Sequence, residues 1–121
     1  MSDLDEVFDA VAAYFSIMAA PTRLKIMHTI GQQERSVTEI VDEVGATQTN
    51  VSRHLGLMHQ SRVVTRRKEG TQVFYRIADP TMIDICRGAC VRIARTMDER
   101  KPLRKKLIKL APVAFSRKSK S

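Results

Sequence analysis

From Leu4 to Phe15 the apolar positions Leu4, Val7, Phe8, Val11 and Phe15 stand three or four apart, the period of an amphipathic helix. Asp3, Asp5 and Glu6 crowd its start, where the positive end of a helix dipole favours acids, so a first helix is expected over Leu4 to Met18. Pro21 opens a second, because a first-turn residue loses nothing by lacking an N–H. Leu24, Met27 and His28 are placed on one face of it, and Gly31 at its end. Ser36-Val37-Thr38-Glu39 has the form of a capping box, in which the serine hydroxyl and the glutamate carboxylate each take a backbone N–H of the other residue. It starts a third helix with Ile40, Val41 and Val44 facing inward. Gly45 supplies a turn, and Thr47 caps a fourth helix that packs through Val51, Leu55 and Met58. Two helices joined by so short a glycine turn make a helix-turn-helix.

The period then changes. Between Arg62 and Ala78, β-branched and aromatic residues flank a Glu69-Gly70 turn signal, which predicts a β-hairpin. Asp79-Pro80 starts a last long helix as cap and first residue. At 100° per residue Met82, Cys86, Ala89, Cys90, Ile93 and Met97 form one stripe, with Asp84, Arg87, Gly88, Arg95 and Asp98 opposite. A long stripe with small residues suits a helix–helix seam. Pro102 breaks or restarts the helix, Leu103, Leu107, Ile108 and Leu110 suggest one more basic amphipathic helix, and 116–121 is expected to be disordered. The fold class is therefore mainly α with a β-hairpin, and the arrangement a winged helix-turn-helix.

The net charge of +8 is less informative than its distribution. Residues 100–121 hold nine cations and no acid, leaving twelve cations against thirteen acids in residues 1–99. This divides the chain into a nearly neutral domain, 1–99, and a basic C-terminal helix and tail, 100–121. Such a tail fits nucleic acid or simple solvation. No run of 18 apolar residues is present, which argues against a membrane span. The acidic start argues against a signal peptide, so a cytoplasmic location is expected. Two cysteines do not make a disulfide framework.

The fourth helix offers Gln48, Thr49, Asn50, Ser52, Arg53 and His54 on its outward side. Gln and Asn suit adenine, Arg suits guanine and a Thr methyl suits a thymine methyl in the major groove of double-stranded DNA. Ser52 and His54 suit phosphates, with local caps or packing as the lesser alternative for Asn50 and His54. Arg66, Arg67 and Lys68 in the hairpin suit the phosphate backbone, where they position without specifying.

Three motifs resemble one family. Ala20-Pro21-Thr22-Arg23-Leu24-Lys25-Ile26 is similar to the opening of the second helix in ArsR/SmtB bacterial repressors. Asn50-Val51-Ser52-Arg53-His54-Leu55 resembles their recognition helix. Arg66-Arg67-Lys68-Glu69-Gly70 and Val73-Phe74-Tyr75-Arg76-Ile77 resemble their wing. The resemblance covers roughly Leu4 to Met97. It implies a homodimer through the first and last helices that occludes operator DNA until an inducer releases it. The family's two metal sites do not carry over. Thr38 to Val44 holds no cysteine, and His28, His54 and His59 all precede the wing.

That leaves Cys86 and Cys90. Their bland role is as small apolar side chains in a seam. Their functional role rests on spacing. Residues i and i+4 of a helix have Cβ atoms about 5–6 Å apart, whereas a disulfide wants about 3.5–4.5 Å. A soft metal or metalloid about 2.3 Å from each thiolate, or added sulfur atoms, could bridge the pair; an oxidant would need a local helix break. The expectation is an inducer-sensing, possible metal-binding pair with no obligatory cofactor. Three other readings compete. One is a DNA-binding regulator or nucleoid-type binder without an inducer. The second is a thiol enzyme, which a spacing other than C-x-x-C and the lack of a histidine in that helix disfavour. The third is a pure protein-interaction module, against which the polar row and basic wing together favour DNA.

Overall fold

The computed structural model describes residues 2–114. The tail expected to be disordered (116–121) lies outside the described residues. The elements run α1 (Asp3–Ile17), α2 (Pro21–Ile30), β1 (Arg35–Ser36), α3 (Val37–Val44), α4 (Gln48–Gln60), β2 (Val64–Glu69), β3 (Gln72–Ile77), α5 (Pro80–Thr96) and α6 (Pro102–Ala114). This is the winged helix-turn-helix expected from the pattern.

Local chemistry sets the boundaries. Ser2 caps α1, its hydroxyl accepting from Asp5 N. At α3, Ser36 Oγ accepts from Glu39 N at 3.1 Å and Glu39 accepts from Ser36 N at 3.0 Å, which completes the capping box. Gly45 ends α3 in the left-handed region at φ 74°, a conformation that favours glycine. Gly31 ends α2 differently, at φ −62°. The C-terminus of α4 closes with Val63 N donating to Met58 O at 2.9 Å, and Arg62 sits at φ 64°, a position usually given to glycine.

The sheet has a strand that the hydrophobic pattern did not predict. β1 is two residues long, too short for any alternation to register, and pairs antiparallel with β3. The order is β1-β3-β2, with Arg67 opposite Phe74 and Glu69 opposite Gln72 across the two-residue turn at Gly70.

Ile26, Met27 and Ile30 of α2, Ile40 of α3, Val51, Leu55 and Met58 of α4, Val63, Val64 and Met82 are fully buried. At about 25 cal/mol per Å² of apolar surface, such side chains contribute most of the driving force for folding. Two expectations are corrected here. His28 is exposed, because α2 buries Ile26, Met27 and Ile30 and so turns His28 outward. The α5 stripe also splits. Met82 and Cys86 are buried and Cys90 is half-buried, whereas Ala89 and Ile93 are exposed. Ala94, outside the expected stripe, is buried because α6 folds back on α5 and also touches α2. Arg104 Nε donates to Ala94 O at 3.1 Å across that contact.

Candidate nucleic-acid interface

Thr47 Oγ1 accepts from Asn50 N at 3.1 Å and so orients the first turn of α4. With Val51, Leu55 and Met58 committed to the core, helical geometry leaves Gln48, Thr49, Ser52 and Arg53 exposed and Asn50 and His54 half-buried. Arg53 donates to Asn50 Oδ1 at 2.5 Å, one turn back along the same face. His54 is held differently. Its Nδ1 lies 3.1 Å from a terminal guanidinium nitrogen of Arg23 on α2. Arg23 also donates from Nε to Ile17 O at 2.8 Å and from NH2 to Ser16 O at 2.9 Å. Burial, then the charges of Arg23 and Arg53, lower the His54 pKa below its ordinary value.

Side chains alternate across a strand, so the three wing cations do not act alike. Arg66 and Lys68 share the face of Tyr75 and Val73. That face borders a cleft of about 540 Å³ shared with Gln48 and Ser52 of α4, which Arg67 also lines. Cations of the wing and polar side chains of α4 therefore meet across one concave surface. Arg67 points to the other face, where it is paired. Its Nε lies 3.0 and 2.9 Å from the two Glu34 oxygens, its NH2 2.7 Å from Glu34 Oε1 and its NH1 2.6 Å from Glu69 Oε2. Its guanidinium carbon stands 4.5 Å from the centre of the Phe74 ring. The hydrogen bond from Arg67 holds Glu34 below the usual carboxylate range.

The cysteines lie elsewhere. Cys86 is only 4% exposed and belongs to the core of its own protomer, and Cys90 packs at its edge. Both are free thiols. Burial, with a smaller contribution from the charge of Cys90, pushes Cys86 up to about 11, and burial raises Cys90 as well. Burial thus prevails over any lowering by Arg87. Tyr14 Oη donates to Asp79 Oδ2 at 2.6 Å, while Asp79 Oδ1 caps α5 by accepting from Met82 N at 3.2 Å. Cys86 is near enough to this pair for its charge to oppose ionisation of Tyr14. Among the described residues no group of three or more His, Cys, Asp or Glu side chains is placed to hold a metal ion. No helix among them is long and apolar enough to cross a membrane.

Arg23 and Glu34 were not read from the sequence as site residues. Arg23 appears there only inside the second-helix motif, and Glu34 carries no local signal, since its partner is 33 residues away.

Comparison with known proteins agrees with this geometry. Residues 20–66 match the family described as bacterial regulatory protein, arsR family. A probable mercury resistance operon repressor of Streptomyces lividans is 35% identical over 77 residues, 64% of this chain and 62% of the relative. The crystal structure of Rv0081 from Mycobacterium tuberculosis superposes with a TM-score of 0.67 at 30% identity, covering 74% of this chain and 90% of that one. A homodimeric winged helix-turn-helix DNA-binding domain from Mycobacterium bovis, described as a possible ArsR-family transcriptional regulator, gives a TM-score of 0.64 at 30% identity, covering 78% of this chain and 87% of that one. With the motifs, the fold and these relatives in agreement, the chain belongs to the ArsR family of bacterial regulators, which are DNA-binding transcriptional regulators and not enzymes.

Proposed function

We propose that the chain is a homodimeric repressor that holds double-stranded operator DNA through α4 and the wing, and releases it when a thiol-directed signal reaches Cys86 and Cys90. The observation that carries the DNA reading is the shared cleft, which sets Arg66 and Lys68 opposite Gln48 and Ser52. In this reading Gln48, Thr49, Asn50 and Arg53 meet base edges, and Ser52 and His54 meet phosphates. Arg66 and Lys68 anchor the wing on the backbone. Two copies related by a two-fold axis would engage half-sites about one helical turn apart.

The dimer is supported by uncovered apolar surface. Leu4, Val7, Phe8, Val11 and Phe15 line α1 and are all exposed, Phe8 by 62%; Val91 and Ile93 are exposed on α5. A protomer of this size gains stability by covering such a face, and the M. bovis relative is a homodimer. Leu4, Val7 and Phe8 against the same face of a second copy make the seam, with Ala89 and Ile93 at its α5 edge.

For the signal, the relative named for mercury resistance favours a soft cation. Thiols raised by burial offer little thiolate to an oxidant at neutral pH. A soft cation displaces the proton as it binds, so its affinity survives a raised pKa. One protomer supplies two sulfurs and a dimer four. A change at Cys86 acts beside the Tyr14–Asp79 bond that joins α1 to α5, and so on both seam helices. A few kcal/mol of differential binding suffices to empty the operator.

The test combines an operator gel shift with intact mass spectrometry after separate exposure to arsenite, cadmium, mercury(II), peroxide and polysulfide. A bound metal or metalloid with loss of the shift, abolished in Cys86→Ala/Cys90→Ala, is the expected result. A loss of two hydrogens or an added sulfur chain would instead name an oxidant or sulfur species. An unchanged shift in every arm would leave a DNA-binding regulator without an inducer, its cysteines structural.

A further inference from the structure

The pairing of Arg67 has a consequence for the wing that its positive charge alone does not suggest. β2 is an edge strand of the sheet, and its ladder partner is β3. β3 in turn meets the body through the two-residue β1 and through Tyr75, which is buried in the core, while the tip of the hairpin extends beyond these contacts. Glu34 immediately precedes β1, on the connection from α2 to the helix-turn-helix. The Glu34–Arg67 pair therefore bridges the whole width of the sheet, from β1 to β2, over the ring of Phe74 on the middle strand. Glu69 closes the other side of the guanidinium near the turn. All of this lies on the face opposite Arg66 and Lys68.

We infer that Arg67 and Glu34 form a clasp that sets the angle of the wing, making Arg67 a positioning residue for DNA binding and not a phosphate contact. The inference rests on the DNA-binding reading above. An arginine whose three guanidinium nitrogens are spread over two carboxylates and a ring face is pre-organised in a planar fork that lysine cannot reproduce. A wing fixed from behind presents Arg66 and Lys68 at a constant distance from α4. A wing held only by its ladder would lose part of the binding free energy to ordering.

The two roles predict opposite signs for one substitution. If Arg67 touches phosphate, Glu34→Gln removes a competing acid beside the DNA and binding tightens. If the pair is a clasp, Glu34→Gln loosens the wing and binding weakens, by about two- to fivefold, the range that an exposed ion pair supports. The measurement is binding of full-length protein to a duplex it selects from a random-sequence library, titrated over salt, for Glu34→Gln, Arg67→Gln and the double variant. Both single variants should weaken binding with the salt slope unchanged, and the double variant should lose no more than either single one. Lys68→Gln serves as the comparison, since loss of a real phosphate contact in each protomer of a dimer lowers the slope by about 1.8. Hydrogen exchange of the β2 and β3 amides in the free protein should rise in both clasp variants while protection in α2 to α4 is retained, which shows folded protein with a loosened wing. Tighter binding by Glu34→Gln, or a reduced slope in Arg67→Gln, overturns the clasp alone. A wild type that selects no duplex overturns the DNA-binding reading and the clasp with it.

Discussion

The terminal nitrogen of Arg23 lies 3.1 Å from Nδ1 of His54. An arginine cannot give up its proton, so Nδ1 accepts and the ring hydrogen resides on Nε2. This contact favours the neutral ring, which keeps one N–H to donate. Arg23 at the same time holds the last carbonyls of α1, at Ser16 and Ile17. One side chain thus joins the helix that carries the exposed apolar face to the helix that carries the outward polar row.

A pH dependence follows. The folded pKa of His54 is below its ordinary 6.5, so the unfolded chain binds the proton more readily. Stability is full above pH 6.5 and is lost as the pH falls from there through the lower folded value. His54→Asn keeps an acceptor near Nδ1 and cannot titrate. Urea midpoints measured across that window should fall less steeply in His54→Asn than in the wild type. Equal slopes would remove His54 from the account.

Arg53 rests on Asn50 at 2.5 Å in the free protein. Arg53→Ala is expected to weaken operator binding by about 1–3 kcal/mol and to relax sequence preference. Asn50→Ala should cost less, and the two should not add, because Asn50 pre-orients Arg53. Competition gel shifts with single-base operator variants measure both effects.

Arg62 holds a left-handed conformation, at φ 64°, that costs a non-glycine residue roughly 1–2 kcal/mol. Arg62→Gly removes that cost but adds unfolded-chain entropy. A net stabilisation of about 0.5–1 kcal/mol is expected, seen as a higher thermal midpoint. An unchanged or lower midpoint would mean that the arginine side chain makes a compensating contact.

Phe8 is exposed in the middle of α1. Phe8→Glu puts a charge into the proposed seam, and light scattering should report a monomer at concentrations where the wild type is a dimer. Operator affinity should fall with it, since one half-site remains. A dimer in Phe8→Glu would move the seam elsewhere.

The cysteines differ in access. Alkylation at neutral pH should modify Cys90 before Cys86, because Cys86 is in the core and its thiol is pushed up to about 11. Peptide mass spectrometry over time resolves the order. For sensing experiments Cys86→Ala is the better control than serine, which would bury a hydroxyl at a cost of about 1–3 kcal/mol.

What the sequence determined by itself was local. Ser36 with Glu39, Thr47, Gly45 and Asp79-Pro80 marked helix ends correctly, because a cap needs only residues within one turn of it. The period of Val51, Leu55 and Met58 placed the polar row of α4 outward, because helical geometry admits no other arrangement once those three are buried. The tertiary structure alone decided how these surfaces are used. Strand alternation and a glutamate 33 residues away separated Arg67 from Arg66 and Lys68. The return of α6 onto α5 buried Ala94 and left Ile93 outside, so that one expected stripe became a core face and an open edge. Arg23 reached His54 across two helices. Each of these depends on partners far apart in the chain, and a side chain's neighbours at that range are set by packing, which no local period encodes.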